Sequence, residues 1–346
     1  MEALEENISD KELSIMNRHI KSLLSIVVVM TLVIGVFGFA STPVAKAEEK
    51  YTFYIVSHGG AIDPFWAVVM KGMKDAKKLL PIKATYFGPE VASISELVNL
   101  LNSAIAAKPD GIAATITDPT AVEEPLRRAI KQGIPVIAIN VADMRPKDQQ
   151  IPYMFYIGQN EYLGGVQAGE RILGETKLTG ITISRGDVGI QEAGHVGLEA
   201  RAKGFADALG KAGIEVDKLD ITPRPEVGFE ILRGYFTKHP ETNALLTVGP
   251  QGTLPAVQLI REKGWANKIL HATFDLDPVT LAAIREGITL FAIDQQQYMQ
   301  GFLPMVYLYL YNEFGLVPGG DVLTGPGFVD KTNVELIAEL IEQGYR

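Results

Sequence analysis

The sequence predicts an α/β protein made of two similar doubly wound parallel-sheet lobes. Short apolar runs alternate with longer amphipathic ones from Tyr51 onward, and the alternation starts again after residue 180. The strand candidates number about nine or ten, too many for one comfortable doubly wound sheet. The chain, at 346 residues, is long enough for each of two lobes to bury its own core.

In the first half, Tyr51–Ser57, Ile82–Tyr86, Gly111–Thr115 and Val136–Asn140 read as buried parallel strands, each short and bounded by Gly, Pro or Asp. Between them Phe65, Trp66, Val69 and Met73 recur at helical spacing, as do Ile94, Leu97, Val98, Leu101 and Ile105. Ser93-Ile94-Ser95-Glu96 is a capping-box pattern that starts the second of these helices, and Gly133 after Ala129-Ile130 fits a helix stop. In the second half Ile181–Ser184, Ala244–Val248, Ile269–Thr273 and Thr289–Ile293 are strand candidates, with helical stretches at Leu198–Leu209 and Val257–Lys263. No stretch is rich enough in Gly, Ser or Pro to be a long linker. The lobes are therefore expected to be joined by short hinges, with a ligand crevice at the strands' carboxyl ends.

Ahead of the fold, residues 16–21 are basic, Leu23 to Phe39 is apolar, and Ala45-Lys46-Ala47 offers a small-x-small cleavage site. Residues 1–47 are expected to be a cleaved export signal, with Met16 a candidate start. A retained membrane anchor is the alternative, since the apolar run is about long enough to span a bilayer. There is no cysteine, hence no disulfide and no site for a lipid anchor. The expected location is the periplasm. Net charge is -9 with no block of Lys and Arg, which argues against a nucleic-acid partner.

Several polar and aromatic residues fall just past strand ends, where the crevice must lie. Asp63-Pro64 is a good helix start, a carboxylate cap followed by proline at the first helical position. Phe65 and Trp66 follow it, and two adjacent helical residues cannot both face one core. Asp118, Asn140, Gln159, Asp275 and Gln295 also sit at or just after strand candidates. Each has a plainer reading: Asp118 and Asp275 as turns or caps, Asn140 as the close of a turn. Together they form the amide and carboxylate set that hydroxyl recognition requires.

Catalytic readings find little support. There is no Cys nucleophile, no Gly-x-Ser-x-Gly elbow, no nucleotide-type glycine loop and no His-x-x-x-His spacing, so no metal or cofactor is expected. Asp63 and Asp275 could form a glycosidase pair in principle, though nothing in the spacing asks for it.

Taken in order along the chain, these segments resemble the periplasmic sugar-binding proteins of the ribose/galactose-binding type, which share a superfamily with the ligand domains of lactose-repressor-like regulators. The resemblance runs from Tyr51 to Arg346. It is carried by Asp63-Pro64-Phe65-Trp66, Gly133-Ile134-Pro135-Val136-Ile137 leading to Asn140, and Gly158-Gln159-Asn160 with Gly164-Gly165. Further matches are Arg201-Ala202-Lys203-Gly204-Phe205, Phe274-Asp275 with Pro278, and Ile293-Asp294-Gln295 leading to Gly301. Asp294-Gln295-Gln296 and Thr324-Gly325-Pro326-Gly327-Phe328 look like one branch of sugar-importer receptors.

The resemblance implies two α/β lobes joined by three crossovers that close on a monosaccharide. One lobe would hold residues 50–158 plus about 296–325, the other 159–294 plus about 326–346. It implies first-lobe contacts from Asp63, Phe65, Trp66 and Asn140, contacts from Asp275 and Gln295 in the second lobe and hinge, and a structural Arg201. This chain departs from the pattern in its second lobe. Glu199 stands where pentose receptors offer a ligand-binding arginine, and Gly249-Pro250 where Asn-Asp is usual, with Gln251 as a substitute. No aromatic matches near Pro223, and His195 or Glu192 are candidate replacements. Those departures argue against ribose itself.

The functional expectation is a monomeric, non-enzymatic receptor that delivers a sugar or polyol to an ABC permease in the inner membrane. Three rival readings differ from this one. A chemotaxis or signalling receptor would use the same fold. A transcriptional regulator would need a helix-turn-helix where this chain has an export signal. A secreted carbohydrate-active enzyme would turn over glycosides.

Overall fold

A computed structural model describes residues 48–346 apart from 61–62, 91–92 and 267. The expected export segment lies outside the described residues. Within them the chain runs β1 (Tyr51–Val56), α1 (Pro64–Leu79), β2 (Ile82–Phe87), α2 (Ile94–Ala106), β3 (Gly111–Ala114), α3 (Pro119–Lys131), β4 (Val136–Ile139) and β5 (Tyr156–Gln159). It continues through α4 (Glu161–Thr179), β6 (Arg185–Ile190), α5 (Val196–Gly210), β7 (Val216–Asp220), α6 (Pro225–Lys238), β8 (Thr242–Thr247), α7 (Pro250–Lys263) and β9 (Leu270–Phe274). The last elements are α8 (Pro278–Glu286), β10 (Phe291–Asp294), α9 (Gln297–Phe314), β11 (Val322–Gly325), β12 (Gly327–Asp330) and α10 (Val334–Glu342).

The strands form two six-stranded sheets, β2-β1-β3-β4-β5-β11 and β7-β6-β8-β9-β10-β12, the same order twice. Every pairing is parallel except β10 with β12, which is antiparallel. The central strands β3, β4, β5, β9 and β10 are buried along their whole length, as helices on both faces of a sheet demand. Phe53, Ile55 and Ile137 pack on one face of the first sheet, and Ile112, Ala114 and Leu126 on the other. Phe205, Phe274 and Phe291 centre one face of the second sheet, and Leu245, Phe236 and Leu259 the opposite one.

The chain passes between the sheets three times: after β5, after β10, and at Pro326 between β11 and β12. Helices α4 and α9, which follow the first two passages, pack along α5 and α1. Both packings are backbone-close and built on glycine. A Cβ on Gly204 would lie 2.1 Å from the Tyr162 carbonyl oxygen, and one on Gly301 1.9 Å from that of Val69.

Local chemistry sets the helix starts. Asp63 accepts from the Phe65 amide at 2.9 Å with Pro64 at the first position of α1, and Ser93 accepts from the Glu96 amide at 3.3 Å. Gly133, with φ +83°, ends the turn after α3. The expected strand at Ile181–Ser184 is corrected: those residues are irregular, and the strand is β6, Arg185–Ile190. The strand carries Gly186 and Gly189 and lies in a crowded part of the sheet, between β7 and β8. A Cβ at Gly186 or Gly189 would sit 3.0 Å from Leu209 or Ile221. The strand expected at Thr289–Ile293 also starts later, at Phe291.

Candidate ligand-binding cleft

A cavity of about 450 Å³ lies where the carboxyl ends of the two sheets face each other. Its walls are the segments after β1, β2 and β4 from the first sheet and after β6, β7, β8, β9 and β10 from the second, the place where open α/β sheets bind ligands.

Two residues at matching positions anchor it. Asn140 follows β4 and Asp275 follows β9, each the fourth strand across its sheet, and both adopt left-handed backbone, φ +62° and +68°. Asn and Asp tolerate that conformation better than other non-glycine residues. Asn140 donates through Nδ2 to Gln300 Oε1 at 3.2 Å, and its carbonyl accepts the Tyr156 hydroxyl at 2.6 Å. Asp275 accepts from Gln295 Nε2 at 2.6 Å, with its other oxygen 3.7 Å from the Arg201 guanidinium. Burial pushes the Asp275 carboxyl up to about 7; Arg201 and Gln295 oppose that, while the charges of Glu161 and Asp63 add to it.

Arg201 lines the cavity but is held from behind. It donates to both Glu161 oxygens, at 2.6 and 3.1 Å, and to the Val248 carbonyl at 2.7 Å, with its guanidinium 4.4 Å from the centre of the Phe274 ring. Gln159 supports the same pair, donating to Glu161 Oε2 at 2.8 Å.

The aromatic wall is formed by Trp66, 2% exposed, with Phe65 and His58 edge to face against it at 5.0 and 5.1 Å between ring centroids. Gly59 makes room for it, since a Cβ there would lie 2.1 Å from the indole nitrogen. His58 sits 3.2 Å from the Thr115 hydroxyl through Nδ1 and meets His195 of the other lobe at 5.5 Å. His195 caps α5: its Nδ1 accepts from the Gly197 and Leu198 amides at 3.2 and 3.4 Å. That fixes the neutral ring with its proton on Nε2. Burial and then the His195 charge hold His58 down at about 3, and burial and then Arg201 hold His195 at about 4.

Among the residues singled out from sequence, Asp63, Phe65, Trp66, Asn140, His195, Gln251, Asp275 and Gln295 all line this cavity. Asp118 and Gln159 are not among the lining residues. Asp118 caps α3 through the Thr120 and Ala121 amides, the plainer reading left open for it, and Gln159 lies behind the Arg201–Glu161 pair. Sequence reasoning missed His58 and Gln191. His58 follows the first strand directly and could have been found from that position. Gln191 follows β6 and was hidden by the misplacement of that strand. The side-chain oxygens of Gln191 and Gln295 are buried with no hydrogen-bond partner in the protein.

Residues 53–313 match the family described as periplasmic binding protein domain. A xylose/arabinose-binding protein of Sulfolobus acidocaldarius is 30% identical over 286 residues, 79% of this chain and 69% of that protein. Among solved structures, a periplasmic sugar-binding protein of an ABC sugar transporter from Legionella pneumophila superposes with a TM-score of 0.72 at 30% identity, over 80% of this chain and all of the other. A carbohydrate transporter protein from Acidothermus cellulolyticus, crystallised with myo-inositol, gives 0.75 at 29% identity over 86% and 99% of the two chains. The repeated sheet order, the inter-lobe cavity and these likenesses agree, and the chain belongs to the periplasmic binding protein family.

Proposed function

We propose that this protein is a non-enzymatic receptor that captures a monosaccharide or similar polyhydroxy ligand between its lobes and delivers it to an ABC permease. The observation that carries the reading is a cavity walled by both lobes and lined by Trp66, Gln191 and Gln295, the two glutamines having side-chain oxygens without a hydrogen-bond partner in the protein. Ring hydroxyls donate to such acceptors while the C–H face of a sugar packs on an indole. Asp63, Asn140, Asp275 and Gln295 bind hydroxyls from the two sides, Phe65 and Trp66 carry the apolar face, and His195 donates through Nε2. Gln251 contributes from the start of α7. The relatives named for xylose and arabinose or crystallised with myo-inositol support the ligand class.

Closure follows from contacts that exist only when both lobes engage the ligand, since a ligand held equally well in both forms would shift nothing. The protein acts as a monomer in the periplasm, reached through the export segment at residues 1–47, and the permease reads its closed form. A thermal-shift screen against monosaccharides, polyols and inositols tests this. A ligand at ~1,000 times its dissociation constant stabilises the fold by ~4 kcal/mol. A flat panel after removal of co-purified ligand, or turnover of a glycoside, sinks the reading.

A further inference from the structure

The cleft is rich in hydrogen-bond acceptors and poor in free positive charge. Asp63 and Asp275 reach it from opposite lobes, and Glu90 and Glu192 stand at its solvent edge. Among the described residues lining it, Arg201 is the single Lys or Arg, and its charge is matched by the buried Glu161 carboxylate at 2.6 Å. The two lining histidines are held neutral at pH 7. Separately, two buried amide oxygens, Gln191 Oε1 and Gln295 Oε1, lack any partner, with their residues 8% and 1% exposed.

Burial pushes Asp63 and Glu192 up, and Asp63 adds to what raises Asp275 across the cleft. Like charges facing each other from two lobes resist closure, and a cation between them reverses the sign of that interaction. An ammonium group brings the charge together with three N–H donors. A carboxylate or phosphate on the ligand would meet acceptors and like charge.

We infer that the cleft prefers an amine-bearing polyhydroxy ligand, an amino sugar or amino-polyol, over the same skeleton carrying a hydroxyl, and rejects the corresponding acids. This rests on the sugar-receptor reading. A neutral hydroxyl can donate to the same acceptors, so the discriminating quantity is the affinity ratio within matched sets. Calorimetry on the purified protein at pH 7 would compare glucose, galactose, mannose and inositol with their mono-amino derivatives, substituted at each ring position in turn, and with glucuronate and galacturonate. At least one amine should bind about tenfold tighter than its parent, as charge-assisted hydrogen bonds do over neutral ones. The uronates should show no heat, and the ratio should fall in Glu192→Gln, a solvent-edge substitution. Parents that bind as tightly as every amine, or a uronate that binds as well as its parent, overturn the preference and leave the receptor reading standing. Silence from the whole panel overturns both.

Discussion

His58 and His195 meet edge to face across the cleft, one from each lobe, with ring centroids 5.5 Å apart. Both are half-buried in this arrangement and held far below the ordinary 6.5 of histidine, at about 3 and about 4. At these two rings the packed arrangement therefore binds fewer protons than a form in which water reaches them, an effect that the raised Asp275 carboxyl offsets in part.

Closure should weaken with acid. As pH falls below about 6.5 the open form takes up protons that the closed form refuses, and the deficit grows until pH passes through about 4 and then about 3. Ligand affinity is expected to fall between pH 7 and pH 4. In His195→Asn, which keeps a good helix cap, part of that fall should disappear. Affinity measured calorimetrically across the range checks it; identical pH profiles for the two proteins would refute the role of His195.

Asp275→Asn separates stability from binding. The carboxyl, raised from 3.8 to about 7, disfavours the folded state increasingly as pH rises through that interval. Asparagine tolerates the φ of +68° and carries no charge. The variant should therefore gain several degrees in Tm over wild type at pH 8, show no gain at pH 4, and lose most of its ligand affinity. Equal Tm differences at both pH values would count against the assigned cause.

Glu161→Gln leaves the buried Arg201 charge without its matched carboxylate. Breaking one side of a buried ion pair costs about 3–5 kcal/mol, so a lower Tm is expected. Arg201 would then turn its charge toward Asp275, 3.7 Å away, and titration of Asp275 followed by NMR should move to lower pH. An unshifted Asp275 would show that Glu161 does not govern that balance.

Gly301→Ala and Gly204→Ala test the helix crossings. Each new methyl meets a backbone oxygen, of Val69 or of Tyr162, which cannot rotate away. Overpacking of this kind costs about 1–3 kcal/mol. Urea unfolding should show both losses, and unaltered midpoints would mean that the helices separate freely.

Where sequence and structure agreed, short-range chemistry was in charge. The caps at Asp63 and Ser93, the buried runs at Gly111–Ala114 and Val136–Ile139, and the polar residues past strand ends were all visible as local pattern. Where they parted, tertiary packing decided. β6 carries two glycines because Leu209 and Ile221 fill the space above them, and β7, with Val216 and Leu219 half-buried and Asp220 exposed, lacks a buried run altogether. The cleft was legible as a set of positions, while the Arg201–Glu161 pair and the meeting of His58 with His195 depend on residues about 40 and 137 apart being brought together.

The first sheet borrows its last strand and one covering helix from the far end of the chain, because β11 and α9 follow everything in β6–β10. A growing or emerging polypeptide thus holds Phe53, Ile55 and Val69 without their partners Met305 and Leu308 until nearly all residues have appeared. The lobe that begins first is completed late. A chain built this way stays threadable for most of its synthesis and commits to its final form only near the end, and any premature stop between residues 160 and 296 leaves a sticky half-product for proteases to clear.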